Sequence, residues 1–265
     1  MSVRRLCTLL TALVVGVALA VVPVGTALTA AADPGTTTPA THVVGSVLGT
    51  TVTGRKIRAW HFVNRAEHLD SSIPTVVLIA TMHGNEGATR QILTSLRDGR
   101  PVHGLDLWVV PVYNPDGLAR GTRKNARGVD LNRNFPYHWA DLDGNYESGA
   151  KPASEPETRA MMRFLRRVRP DRILSFHQPL NGVDTDTKLP GFAKLVARKL
   201  HLPAKTFDCG GVCHGTMTGW YNHTFKGAAL TVEYGAHPSR RLMRKVAPKQ
   251  VLAIFGATRS ATPPD

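Results

Sequence analysis

Cysteine is scarce in this chain, with three among 265 residues. Cys7 lies in an N-terminal apolar run, which leaves Cys209 and Cys213 in Cys-Gly-Gly-Val-Cys. No further cysteine exists to complete a thiolate metal site around that pair. In an oxidising compartment a Cys209–Cys213 disulfide across the Gly-containing loop is expected, and two free thiols are the alternative. Acidic residues are also few, 19 Asp and Glu against 33 Lys and Arg, for a formal net charge of +14. Such a chain adheres to polyanions, but no motif for specific nucleic-acid recognition accompanies the charge. Beyond the N-terminus no segment is apolar enough to cross a membrane. Internal repeats and interdomain linkers are lacking, so the length suits one domain with a full core.

What is present begins with Arg4 and Arg5 ahead of an uncharged apolar run from Leu6 to about Val24. Ala30-Ala31-Ala32 then supplies small residues for cleavage. This layout predicts a secretory signal peptide over residues 1–32, an uncleaved anchor being the alternative. A secreted or cell-wall-associated monomer follows as the expectation, adsorbed to anionic wall polymers and without a membrane span after cleavage. Residues 33–41 read as a flexible leader, 42–258 as the folded domain and 259–265 as a tail.

Within the domain, strands are predicted at 43–48, 56–63, 75–81, 105–112, 172–176 and 228–233. A helix is expected from about Gly87 to Leu96. Gly/Asn/Arg-rich loops are expected over 113–155. Ser154 and Glu157 form a capping-box pattern that opens a helix with Met161, Phe164, Leu165 and Val168 on one face. Phe192, Leu195, Val196 and Leu200 mark another amphipathic helix, and a last helix is interrupted near Pro248. The alternation predicts an α/β fold: a central, mostly parallel or mixed twisted sheet with helices on both faces.

The chemistry gathers at strand ends. His83-Gly84-Asn85-Glu86 follows the apolar run Thr75–Thr81, so His83 and Glu86 can turn toward one metal ion. His177 ends the apolar run Ile173–His177, and Glu233 ends Ala229–Glu233. Catalytic zinc takes three protein ligands and keeps one open position, so two His and two Glu supply a ligand set and a spare carboxylate. Between them runs a loop rich in Arg and Asn, Arg120 to Pro136. Guanidinium groups there can grip a carboxylate with two prongs or stabilise an oxyanion. His-Glu-x-x-His is absent, which excludes the thermolysin-type arrangement.

His83-x-x-Glu86, Gly128-Val-Asp130-x-Asn132-Arg133-Asn134, His177 and Glu233 together resemble the zinc metallocarboxypeptidases, the carboxypeptidase A superfamily. The resemblance spans residues 83 to 233. It implies one Zn2+ per chain held by His83, Glu86 and His177, with Asp130 orienting a zinc-bound His. It implies that Asn132 and Arg133 hold a terminal carboxylate, that Arg123 (with Arg120 as the alternative) polarises the scissile carbonyl, and that Glu233 is the general base and acid.

Counting back from Glu233 places Thr218 at the base of the specificity pocket, where it is neither acidic nor large and apolar. His177-Gln-Pro-Leu-Asn-Gly-Val-Asp184 and Pro152–Thr158 resemble the murein peptide amidase branch, whose members cleave γ-D-glutamyl–diaminopimelate bonds. For such a muropeptide, Asp184 or Asp186 is expected to meet the distal ammonium. The alternatives are an N-acyl amino acid deacylase resembling succinylglutamate desuccinylase and aspartoacylase, a broad exported carboxypeptidase, and a non-catalytic wall-binding module.

Overall fold

Side-chain alternation along the central strands sets the architecture. In β3 (Thr75–Ala80), Val76, Leu78 and Ala80 point to one face and Val77 and Ile79 to the other, and all five are buried. A strand apolar on both faces needs cover on both faces. The computed structural model describes residues 42–64, 70, 72–208 and 210–261, and these lie within one unit, Thr38–Asp265. The expected signal peptide and the whole of the expected leader lie outside the described residues.

Ten strands are present among the described residues: β1 (His42–Thr50), β2 (Lys56–Val63), β3, β4 (Val102–His103), β5 (Asp106–Val110), β6 (Arg172–His177), β7 (Leu180–Asp184), β8 (Ala204–Lys205), β9 (Ala228–Gly235) and β10 (Thr258–Arg259). Eight of them form one mixed sheet in the order β1-β2-β5-β3-β6-β9-β7-β8, and β10 pairs with β4. The centre, β5-β3-β6-β9, is parallel, while β2 joins β5 and β7 joins β9 antiparallel.

Among the described residues six α-helices flank the sheet: α1 (Arg90–Arg97), α2 (Pro115–Arg120), α3 (Pro156–Val168), α4 (Pro190–Leu200), α5 (Met217–Thr224) and α6 (Ala247–Ile254). A π-helical turn, Leu242–Val246, leads into α6. Ile92, Leu93 and Leu96 of α1, Val196 and Leu200 of α4 and Val251 of α6 join Leu78, Leu174 and Val232 in one core layer. Met161, Phe164 and Leu165 of α3 and Trp220 and Tyr221 of α5 join Val77, Ile79 and Ile173 in the other. Among the described residues no helix is long and apolar enough to span a membrane.

Several local expectations need correction. Ser154 and Glu157 form no capping box: the Ser154 hydroxyl donates to Glu155 and accepts from Asn134, and Glu157 turns inward to the Val52 N–H and Asn125. The expected tail begins too early, because Arg259 belongs to β10 and its guanidinium donates to the Ser95 and Arg100 carbonyls. The 113–155 loop contains α2 and two 3-10 turns, Leu131–Arg133 and Gly144–Tyr146.

Candidate active site

Parallel strands of one sheet end together, so residues at their C-terminal ends converge. His83 and Glu86 follow β3, and His177 closes β6, where it pairs in register with Glu233 of β9. The chain leaves β3 through Thr81 at φ 56°. A left-handed conformation at a β-branched residue costs about 1–3 kcal/mol and is held only by its surroundings. Here the Thr81 carbonyl accepts the Asn114 N–H at 3.0 Å, and the Asn114 amide donates to the Met82 carbonyl at 3.2 Å. Gly84 lies against the Gly117 backbone so closely that a Cβ would overlap the Gly117 carbonyl. Asn114 caps α2, with its side chain accepting the Gly117 N–H. The strand end and α2 therefore hold the His-Gly-Asn-Glu turn from two sides.

His83, Glu86 and His177 are buried, and one ligating atom from each lies within 4.8 Å of the other two. His83 Nδ1 is 2.7 Å from Glu86 Oε1, and His177 Nδ1 is 3.0 Å from Glu86 Oε2. The two Nδ1 atoms are 3.3 Å apart. Each ring turns its other nitrogen outward: His83 Nε2 lies 3.1 Å from Asp130 Oδ1 and His177 Nε2 lies 2.9 Å from Ser175 Oγ. Partners on both Nε2 atoms fix the rings with Nδ1 aimed at the centre, as in histidine metal sites.

Three electron-pair donors facing one another require positive charge between them. The pKa values express that demand. Burial pushes the His83 imidazolium down, but the Glu86 and Asp130 carboxylates outweigh it and raise His83 to about 9. Burial pushes Glu86 up, but His83 and His177 hold it at about 2. Asp130 is likewise held well below the usual carboxylate range against its burial, by His83, Arg123 and Arg133. Two imidazoles and a carboxylate, with oriented outer nitrogens, fit a zinc ion and leave an open position.

Glu233 stands beside this group without joining it. Its Oε2 accepts the Leu180 N–H at 3.2 Å. Burial raises its pKa; His177 and His83 oppose the rise and Glu86 adds to it.

The Arg/Asn loop closes the site. Arg123 donates through Nε to Asp130 Oδ2 at 2.9 Å, and its Nη1 lies 3.7 Å from Glu86 Oε1. Buried Asn125 pins this arm, accepting the Arg127 and Val129 N–H groups and donating to Glu155 at 2.7 Å. Asn132 Oδ1 accepts the Met217 N–H at 3.0 Å, which ties the loop to the first turn of α5 and to half-buried Thr218. Arg133 is buried, its Nη1 donates to the Asn132 carbonyl at 2.8 Å, and its Nε meets no protein acceptor among the described residues. Arg120 points elsewhere, to the Ala126 carbonyl.

The structure does not bring Asp184 to this cluster. Gly182 of β7 is the partner of Glu233, so Asp184 lies two residues further along the antiparallel strand, paired with Lys205 and accepting the Asp186 N–H. Cys213 is disulfide-bonded; Cys209 lies outside the described residues. Tyr146 was not singled out from the sequence. The Arg123 and Arg133 guanidinium carbons lie 5.4 and 5.1 Å from its ring centroid. An exposed Tyr after Gly-Asn in a loop carries no sequence signal for that role.

Residues 37–180 match the family model described as zinc carboxypeptidase. The chain belongs to the zinc carboxypeptidase family. It is 33% identical over 166 residues to murein peptide amidase A of Escherichia coli strain K12, covering 54% of this chain and 64% of that protein. It is 32% identical over 125 residues to human carboxypeptidase D, covering 36% of this chain and 9% of that one. The chain thus spans just under two thirds of the murein amidase it matches. Among solved structures, the murein-tripeptide amidase of E. coli O157 aligns with a TM-score of 0.65 at 25% identity, over 84% of this chain and 96% of that one. Carboxypeptidase A of Helicoverpa armigera aligns with a TM-score of 0.69 at 17% identity, over 81% of this chain and 68% of the other, and shows the shared fold.

Proposed function

We propose that this protein is a zinc-dependent amidase of cell-wall peptides, exported, that hydrolyses an amide bond beside a free carboxylate, with γ-D-glutamyl–diaminopimelate as the bond. The observation that carries the reading is the buried Arg133 Nε–H, which meets no acceptor among the described residues, next to a ligand set and a spare acid. A buried donor left unpaired costs about 1–3 kcal/mol, and a substrate carboxylate satisfies it. The likeness to murein amidases supports the substrate class.

Zinc held by His83, Glu86 and His177 supplies Lewis acidity, which acidifies water and polarises a carbonyl. The protein's own groups do the rest. Arg133 and the Asn132 amide hold the carboxylate. Arg123, fixed by Asp130, presents positive charge where the carbonyl oxygen gains negative charge. Glu233 keeps Oε2 on the Leu180 N–H, and its Oε1 has no hydrogen-bond partner among the described residues. That oxygen takes a proton from the attacking water as its oxygen bonds to the carbonyl carbon. The same proton then passes to the departing nitrogen as the C–N bond breaks.

The test is mass spectrometry of products from three substrates: a γ-D-glutamyl–diaminopimelate tripeptide, peptides ending in Phe or Arg, and N-succinylglutamate. Preference for the first is expected, and it should be abolished by chelator. Preference for Phe- or Arg-ending peptides would replace the reading with a broad carboxypeptidase, and cleavage of N-succinylglutamate alone would make it a deacylase.

A further inference from the structure

The connection that leads from β8 into α5 has little packing to hold it in place. None of its described residues from 206 to 214 is buried. At its start the Phe207 N–H donates to the Asp184 carboxylate of β7. Gly210 and Gly211 then stand in left-handed conformations, φ 55° and 81°, which turn the chain back on itself at no steric cost. Cys213 follows and is disulfide-bonded; Cys209, four residues before it, is the partner the sequence expects. A short covalent ring therefore does here what buried side chains do elsewhere. Cross-linking removes conformational freedom that the segment would otherwise lose on docking.

What docks is the chain immediately after Cys213. His214 Nδ1 donates to the His138 carbonyl at 3.0 Å, and the Gly215 N–H reaches the same oxygen at 3.3 Å. The Gly215 carbonyl accepts the Phe135 N–H at 2.9 Å. Gly215, at φ 58°, lies so close to the Arg133 backbone that a Cβ would overlap the Arg133 carbonyl oxygen. Two residues on, the Met217 N–H donates to Asn132 Oδ1 at 3.0 Å. Residues 214–217 thus back the 3-10 turn Leu131–Arg133. With Oδ1 held there, the planar Asn132 amide turns its Nδ2 hydrogens away from α5 and leaves them to a substrate carboxylate.

We infer that the disulfide at Cys213 is a positioning element for substrate binding: it holds residues 214–217 against the Leu131–Arg133 turn and so sets the aim of Asn132 and Arg133. The ligand set does not depend on it in the same way. His83 and His177 are oriented by Asp130 and Ser175, and Asp130 is itself fixed by Arg123 and by its own N–H on the Glu147 carbonyl. Loosening the ring should therefore weaken the grip on the substrate and leave zinc in place. The inference rests on the reading of Asn132 and Arg133 as the carboxylate grip.

The experiment compares the zinc-loaded wild type with the double variant Cys209→Ser, Cys213→Ser. Zinc content should match. KM for a carboxylate substrate should rise about tenfold, the scale of one hydrogen bond to a charged group, with kcat within about twofold and the amidated analogue unaffected. Hydrogen exchange should speed up at least ~10-fold in peptides covering residues 131–136 and 214–220 and stay unchanged in β3 and β6. His214→Ala keeps the disulfide and should shift both readouts the same way by a smaller factor, which keeps the test informative if the serine pair folds poorly. A serine pair with a lower Tm but unaltered KM and exchange would make the disulfide a stabiliser alone and overturn the inference. Faster exchange spread evenly over the sheet would overturn it too. If the wild type cleaves no carboxylate substrate, the proposed function falls, and the exchange measurement still decides whether the ring positions the turn.

Discussion

The decisive side chains differ in how their environments prepare them. Glu233 is buried and raised, yet it has an oxygen to spare, while Glu86 and Asp130 are spoken for by histidines and arginine. Glu233→Gln keeps the shape and removes only the proton acceptor. Zinc content should be unchanged and turnover should fall at least ~100-fold; near-normal turnover of the zinc-loaded variant would move the base elsewhere. The same substitution bears on stability. A carboxyl raised in the folded state stabilises below its unfolded pKa and loses that contribution as pH rises through the folded value. In chelator at pH 7 the Gln variant should therefore melt above the parent, and at pH 4 the two should converge. Tyr146 makes a second prediction at this scale. Tyr146→Ala should raise KM for carboxylate substrates about tenfold, the scale of one or two cation–π contacts, while Tyr146→Phe should not. Steady-state kinetics of both variants on a substrate and its amidated analogue would show it, and equal effects on the two substrates would deny Tyr146 a part in carboxylate binding.

Elements decide which residues can meet. His83, Glu86, His177 and Glu233 were legible because each closes a long apolar run or follows one at once, and parallel strands bring such ends together. β7 was not legible. Leu-Asn-Gly-Val-Asp has neither the apolar run nor the alternation of a buried strand, and it pairs only because β9 offers an open side. That unseen strand carries Asp184 two residues beyond the partner of Glu233 and pairs it with Lys205. Asp184→Asn should accordingly change kcat/KM on a diaminopimelate peptide by no more than about twofold, the range of substitutions away from special features. A large and selective loss would restore Asp184 to the substrate site. Likewise Ser154 and Glu157 read as a local cap, but tertiary partners from Val52, Asn125 and Asn134 claim both side chains. Local patterns of polar residues are weak wherever distant loops compete for the same atoms.

For the molecule as a whole, the metal group is also a structural joint. It connects the ends of β3 and β6 through atoms that need a proton or a metal ion between them. Chelation should lower Tm by about 5–10 °C, from about 2.7 kcal/mol at a hundredfold excess of zinc over Kd and the usual slope for a domain of this size. Calorimetry with chelator and with zinc restored would measure it; a Tm indifferent to both would mean that the group takes no metal. The apolar runs that bury β3 and β6 on both faces were plain in the sequence. The long-range grip of the Arg/Asn loop was not, because Asn114, Asn125 and Asn134 work through backbone groups that no spacing reveals.

The in-register pairing of His177 with Glu233 makes the sheet a ruler. The spacing of the two backbones that carry acid and ligand is set by the hydrogen-bonded pairing of neighbouring strands, whatever rotamers the side chains adopt. Exchanging Val232 and Glu233 would shift the acid by a single notch and turn it to the opposite face. Because the ruler lies in the most buried part of the molecule, it cannot loosen while the rest stays firm. Warming should therefore give no dormant, still-folded form: the fade of activity and the fade of the sheet's circular dichroism should trace one curve.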